Sequence, residues 1–393
     1  MVSESHAFDK PTALEELLDS LVSIPSVAPE EKALAYFCAE RLQKAGFEVE
    51  MQQWKPGRFN VIAQKGPSAR CLLLSAHLDT VPSFNSDERN PYSIEYRGEY
   101  LRGLGAYDMK GGLALILHSA TCLRPSKAIG IRIVLTSDEE NISEGTWAAA
   151  SEGHYRGAVL AVVPEIVDTP TTIKETPFTH QSLPLILGRR GRAVYRICIQ
   201  TPSIHGAEGR GLSALDIASQ IQIALHKIKM PRHPRLPPAT AFVRRICGES
   251  QALEIPTRAE VDIDVHLVPP YTHESFADFL DKELKKRLEL PAGSRVELAL
   301  LPRSTPYLQP YETDLRDIYV KKLMAALPSK RANIEYGLTV SDENILAAQG
   351  IPCISWAPRG GCAHTSDEWL SRVDFACLEE LYPKVLQTVL DAK

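Results

Sequence analysis

No stretch of this 393-residue chain approaches the ~20 consecutive apolar residues that a membrane-spanning helix needs. Its first residues, MVSESHAFDKPTALEELL, lack the basic segment and apolar core of a secretory signal. The chain therefore reads as cytoplasmic, with no membrane partner. A surplus of positive charge is missing too: the formal net charge is −5. Without a basic surplus there is no bulk attraction to phosphate backbones, and nucleic acid is not expected as a partner. The 8 cysteines include no C-x-x-C pair. Cys38, Cys71, Cys122, Cys198, Cys247 and Cys353 lie in or beside apolar stretches and read as reduced core thiols. Cys362 stands in a glycine-rich loop two residues before His364 and reads as a bystander. Internal repeats and low-complexity tracts are also absent.

What is present is a globular composition, 44% hydrophobic and 24% charged. Single cores rarely grow past ~250–300 residues, so two domains are expected. Helical patterns cover 11–45, broken at Ile24–Pro29, and 111–123. Strand-like runs fall at 58–64, 71–76, 129–137 and 157–163. That alternation argues for an α/β sheet. Near Gly188 the texture changes to a strand at 192–200, a helix at 212–228, strands at 240–248 and 258–267, a helix at 273–288 and a strand at 295–301. The α/β pattern resumes with a helix near 313–326, a strand at 352–356 and a closing helix at 376–391. We read residues 188–301 as a smaller α+β domain inserted into a larger one built from 1–187 and 302–393.

Several apolar runs end on metal-type ligands, and in open α/β sheets sites lie at the carboxyl ends of the strands. The run CLLLSA leads into His77 and Asp79, whose spacing puts both side chains on one face of an extended chain. A carboxylate so placed orients a ligating imidazole. Asp108 lies in GLGAYDMKGG, between glycines that allow tight turns. Glu139 and Glu140 close IGIRIVLTSDEE, Glu165 closes GAVLAVVPE, and His364 follows the apolar run IPCISWAP. His77, Asp108, Glu140, Glu165 and His364 make an N/O donor set suited to zinc, with cobalt or manganese also fitting. Five donors exceed one closed four-coordinate site, which points to two metals sharing a carboxylate. Glu139 is left over, as a general base should be.

The motifs HLDTVP, GLGAYDMKGG, TSDEE, VPE, HGAEG and AHTSDE together resemble the M20 metallopeptidase family, which includes acetylornithine deacetylase, succinyl-diaminopimelate desuccinylase and carboxypeptidases. The resemblance implies a zinc-exopeptidase-like catalytic domain, with a mixed, mostly parallel sheet and helices on both faces, plus an inserted lid that forms a homodimer. It implies that His77 and Glu165 hold one zinc and Glu140 and His364 the other, with Asp108 bridging. It further implies that Asp79 orients His77, that Glu139 is the general base, and that His205 reaches a partner's site and steadies an oxyanion. A water between two such ions deprotonates near neutral pH and attacks an amide carbonyl, and Glu139 passes its proton to the departing amine.

The expected substrate is an N-acyl amino acid. A short peptide, cleaved by a carboxypeptidase or dipeptidase, is the alternative, and a non-catalytic dimeric scaffold a distant one. Desuccinylase-like members carry an Asn before a Pro and an Arg at the end of the next strand. Here Leu253-Glu254-Ile255-Pro256 and His266 stand in those places, and His266 is no conservative stand-in for Arg. Arg258, His266 and Asn344, the last in GLTVSDENILAAQG, are the candidate substrate contacts. GRRGR at 188–192 reads as a solvated turn, and Glu368 and Trp369 as structural support near His364.

Overall fold

The run Cys71–His77 forms a strand buried at every residue, and burial on both faces is why it lacks alternation. It lies inside a nine-stranded sheet of a computed structural model that describes residues 10–83, 90–168, 183–208, 210–250, 253–328 and 332–392. Along the sheet run Glu48–Lys55, Arg58–Lys65, Gly130–Thr136, Cys71–His77, Ala158–Val163, Cys353–Trp356 and Leu183–Arg189. The four strands from Gly130–Thr136 to Cys353–Trp356 pair parallel. Their neighbours outside this group pair antiparallel. The sheet is mixed as expected, but parallel only at its centre.

Two groups of helices cover the sheet. One contains Ala13–Val22, Lys32–Lys44, Gly111–Cys122 and Arg372–Leu390, and the other Glu144–Ser151 and Glu343–Ala348, which pack on each other. The first helix is set by a capping box of Thr12 and Glu15. Arg372 also grips the Glu15 carboxylate, at 2.6 and 2.9 Å, which ties the first helix to the last. Among the described residues no helix is long and apolar enough to cross a membrane.

The chain divides into a larger unit of residues 1–188, 313–337 and 341–393 and a smaller unit of 189–312 and 338–340. Residues 301–312 stay with the smaller unit because they run back along its first strand: Leu301 donates to Val194 O and Arg192 to Leu308 O. The smaller unit is an antiparallel sheet ordered Thr240–Cys247, Arg258–Leu267, Gly191–Gln200, Arg295–Leu300. Helices Ala214–Leu225 and His273–Lys285 pack on it.

Two local readings need correcting. Cys198 and Cys247 are exposed, as is Cys122. In a half-buried sheet every second residue faces water whatever its apolar neighbours suggest. GRRGR is not a solvated turn, since Arg189 and Arg190 are buried. Arg190 donates to Leu338 O, Pro238 O and Thr240 Oγ1.

Candidate metal centre

Parallel pairing brings the carboxyl ends of the central strands to one edge of the sheet, and the segments that follow carry the acidic residues and histidines. His77 ends its strand and pairs in register with Thr136, three residues before Glu139. Glu165 follows Ala158–Val163 after a single proline, and His364 follows Cys353–Trp356 through a loop. Asp108 lies in the turn 106–110 that opens helix Gly111–Cys122. Gly112 lets that helix start against the Glu165 segment, because a Cβ there would lie 2.2 Å from the carbonyl oxygen of Pro164.

His77 Nε2 stands 3.1 Å from Asp108 Oδ1 and 3.6 Å from Glu165 Oε2. His364 Nε2 stands 3.0 Å from the other oxygen of Asp108 and 3.0 Å from Glu140 Oε2. Asp108 thus offers one oxygen to each imidazole. The donor atoms of His77, Asp108 and Glu165, and those of Asp108, Glu140 and His364, converge within 4.8 Å in each set. Glu139 joins His77 and Glu140 in a third set of this kind.

Hydrogen bonding decides what these sets fit. His77 Nδ1 lies 2.9 Å from the carbonyl oxygen of Asp79, which only accepts, so Nδ1 carries the proton and a neutral ring presents a lone pair at Nε2. That lone pair faces two carboxylates. Acceptors facing acceptors at this burial are stable only around a cation or a proton. Where no ion is present the proton takes that place. Burial lowers the affinity of His77 for it, but Asp108, Glu165, Glu139 and Asp79 outweigh burial and push the imidazole pKa well up. Hydrogen bonds to Asp108 and Glu140 raise His364 to about 10. Burial would raise the carboxyl pKa of Asp108, yet the two imidazoles bring it below the usual range. Glu139 goes the other way, driven well up by burial and by the charges of Glu165, Asp342 and Glu140.

Asp79 acts differently from its expected part. Its carboxylate is 3.8 Å from His77 Nδ1, too far for a hydrogen bond, and its backbone carbonyl orients the ring instead. The carboxylate accepts the N–H groups of Glu139 and Glu140 at 3.2 and 2.9 Å and so fixes both glutamates. Asp138, just before them, has φ 77°, and Cys362 and His364 have φ 55° and 62°. Non-glycine residues held there cost on the order of 1–3 kcal/mol each. The strain falls on the two segments that bring Glu140 and His364 together.

Glu368, read as support, is buried and accepts the N–H groups of Gly105, Tyr107 and Asp108 at 2.8–2.9 Å. Asp342 was not singled out from the sequence. It is buried beside the Glu139 segment and accepts from Thr136 Oγ1 at 2.9 Å and from Thr146 Oγ1. The tetrad Thr136-Ser137-Asp138-Glu139 recurs as Thr365-Ser366-Asp367-Glu368 and, without the threonine, as Ser341-Asp342-Glu343; that recurrence was the available signal.

The remaining candidates lie elsewhere. Asn344 is buried at 1% exposure, and its Oδ1 accepts from Ser341 N at 3.0 Å. That bond holds the turn before its helix. His205, Arg258 and His266 belong to the smaller unit. His205 is exposed, bridges Glu254 and accepts from Ala207 N at 3.2 Å. Arg258 is exposed at the start of its strand, and His266 is half-buried opposite Thr240 and Arg192.

The sequence profile of peptidase family M20/M25/M40 matches residues 73–388. A succinyl-diaminopimelate desuccinylase of Methylorubrum extorquens is 27% identical over 401 residues, covering 94% of this chain and 97% of that protein. Among solved structures, aminopeptidase PepT from Bacillus cereus superposes with a TM-score of 0.74 at 18% identity, covering 96% of this chain and 98% of that one. A dinuclear metal-binding M20 peptidase from Bacillus subtilis superposes with a TM-score of 0.69 at 14% identity, covering 97% and 98%. The family match spans most of the chain and agrees with the resemblance carried by its motifs, so the chain belongs to peptidase family M20/M25/M40 and is a hydrolase acting on amide bonds.

Proposed function

We propose that this hydrolase is a two-metal deacylase of N-acyl amino acids. The observation that carries the reading is the division of Asp108, with one oxygen toward His77 and the other toward His364. His77, Asp108 and Glu165 would hold one ion, and Asp108, Glu140 and His364 the other. Nitrogen and oxygen donors of this kind suit zinc, with cobalt or manganese as substitutes. The Bacillus subtilis neighbour is described as dinuclear, which supports two ions. When bound, divalent ions supply Lewis acidity that acidifies water and polarises a carbonyl.

The chain's own residues do the rest. Glu139 is half-buried among carboxylates that raise its affinity for a proton, which makes its carboxylate a stronger base. It takes the proton of the attacking water and delivers it to the departing amine nitrogen. Asp79 keeps Glu139 and Glu140 in register through their backbone N–H groups. Arg258 and His266 are the smaller unit's candidates for meeting the substrate carboxylate. A histidine in place of an arginine supplies no fixed bidentate fork, so the acyl amino acid differs from succinyl-diaminopimelate. His205 would steady the oxyanion from a partner subunit in a homodimer formed through the smaller unit.

The test is release of primary amine by metal-reconstituted protein across N-acetyl amino acids, N-succinyl amino acids and dipeptides, with a chelated control. Chelator-sensitive release from acyl amino acids is expected. Release from peptides alone would move the enzyme to the peptidase branch of the family, and silence throughout would overturn the catalytic reading.

A further inference from the structure

The turns that carry Asp108 and Glu165 are fastened to each other on both flanks. On one, Gly112 packs its backbone on Pro164, as described above. On the other, the Tyr107 hydroxyl sits between the two polar groups of one backbone residue, donating to Val167 O at 3.1 Å and accepting from Val167 N at 2.7 Å. Tyr107 is buried and its ring has no room to swing. A Cβ at Gly360, in the loop leading to His364, would lie 2.3 Å from that ring. The Tyr107 N–H is itself held by Glu368 at 2.8 Å. The residue is therefore fixed at its backbone, along its ring and at its tip, and the tip holds Val167, two residues after Glu165.

We infer that Tyr107 is a positioning residue for Glu165. Its hydroxyl sets the path of the chain at 165–167 and so the distance of the Glu165 carboxylate from His77 and Asp108. The inference rests on the reading of His77, Asp108 and Glu165 as one metal position. Metal–ligand distances tolerate only about 0.2 Å, so a small drift of Glu165 weakens that position. The second position shares only Asp108 with the first, and the backbone of Asp108 is held by Glu368. Tyr107 thus acts on one of two adjacent metal positions and leaves the other in place. Phenylalanine keeps the ring and its packing and removes only the hydroxyl.

The test is titration of the metal-free full-length protein with Co2+, followed by visible absorption, and with Zn2+, followed by calorimetry. In Tyr107→Phe one binding event should weaken about 10- to 100-fold, the range typical of groups that orient metal ligands, with the other as in wild type. Gly360→Ala keeps the hydroxyl, crowds the ring as well as the carbonyl oxygen of Trp369, and should weaken the same event. Glu165→Ala identifies which event belongs to that position. Loss of neither event in Glu165→Ala would overturn the ligand reading itself. Loss of one event there, with Tyr107→Phe and Gly360→Ala unchanged, would overturn the role of Tyr107 alone. Equal weakening of both events in Tyr107→Phe, with a lower Tm of the metal-free protein, would show a general structural part and also overturn it.

Discussion

Glu139 and Glu140 share a peptide bond, yet one faces His364 and the other stands apart from it among His77, Glu165 and Asp342. Consecutive side chains on an extended segment diverge, which lets one ligate while its neighbour moves protons. Glu139→Gln keeps shape and burial but removes the titrating oxygen. It should bind both metals with wild-type stoichiometry and lower kcat by about 10²–10⁴-fold, read from steady-state rates alongside elemental analysis. Undiminished turnover would refute the base assignment. At this scale the residues that converge are legible in the sequence, because His77 and Glu165 sit where apolar strands end. Of the groups that hold them, Glu368 reads as support from the sequence, but neither its partners nor Tyr107 can be read there. Glu368 acts on the N–H of Asp108 and Tyr107 on the N–H and C=O of Val167, each distant in sequence from its partner, and a backbone partner leaves no residue-type pattern to read. Asp79 is visible in the sequence, but the atom it offers His77 is not: the carbonyl rather than the carboxylate meets the ring.

Burial alone does not decide which elements are legible: the strands Thr240–Cys247 and Arg295–Leu300 are expected from the sequence though mostly exposed or half-buried, and Leu183–Arg189, buried throughout, is not. Cys71–His77 announces itself as a continuous apolar run, and Gly130–Thr136 as one broken only by Arg132. Glu48–Lys55, an edge strand with mostly exposed or half-exposed residues, does not. Glu144–Ser151 and Glu343–Ala348 are too short to show helical periodicity. One element makes a testable prediction about pH. His273 opens helix His273–Lys285, is buried, and has Nε2 3.2 Å from Leu308 O while Nδ1 meets the Gln309 amide at 3.1 Å. Leu308 O only accepts, so the neutral ring with its proton on Nε2 satisfies both partners. Burial pushes the imidazole down from its usual value; backbone hydrogen bonds to Leu308 and Arg192 and the charge of Glu274 pull it up, and Arg303 pushes it down, without reversing the effect of burial. A positive charge at a helix N-terminus is unfavourable as well. The folded state therefore binds fewer protons than the unfolded chain below about pH 6.5. Stability is fully present above that pH and is lost as the pH falls through it toward the depressed folded value. His273→Gln keeps a donor for Leu308 O and does not titrate. In urea unfolding between about pH 7.5 and 5, wild type should lose more stability than this variant. Equal losses would refute the assignment.

At the scale of the whole molecule, the candidate centre draws all its metal-type ligands from the larger unit, while His205, Arg258 and His266 stand in the smaller one. The motif around His205 is what led the sequence to suggest help from a second subunit, and mixing two defective variants tests that proposal directly. Suppose His205 serves the partner's centre in a homodimer. A protomer with Glu139→Gln and intact His205, paired with a protomer carrying His205→Ala and intact Glu139, then rebuilds one complete site and ruins the other. If His205 serves its own chain, every site in the mixed dimer keeps one defect. Each variant alone should be slow: Glu139→Gln for the reason given above, and His205→Ala in kcat more than in KM, because oxyanion stabilisation appears in the transition state. Mixed at equal concentration and allowed to exchange, random pairing puts half of the dimers in the mixed form with one working site of two, so activity should recover to about a quarter of wild type. The rate should climb with the time of subunit exchange, and light scattering of the unmixed proteins should give twice the chain mass. A mixture that stays at the average of the two variants, with dimers confirmed by scattering, would confine His205 to its own chain. A monomeric mass would remove the partner subunit from the mechanism altogether.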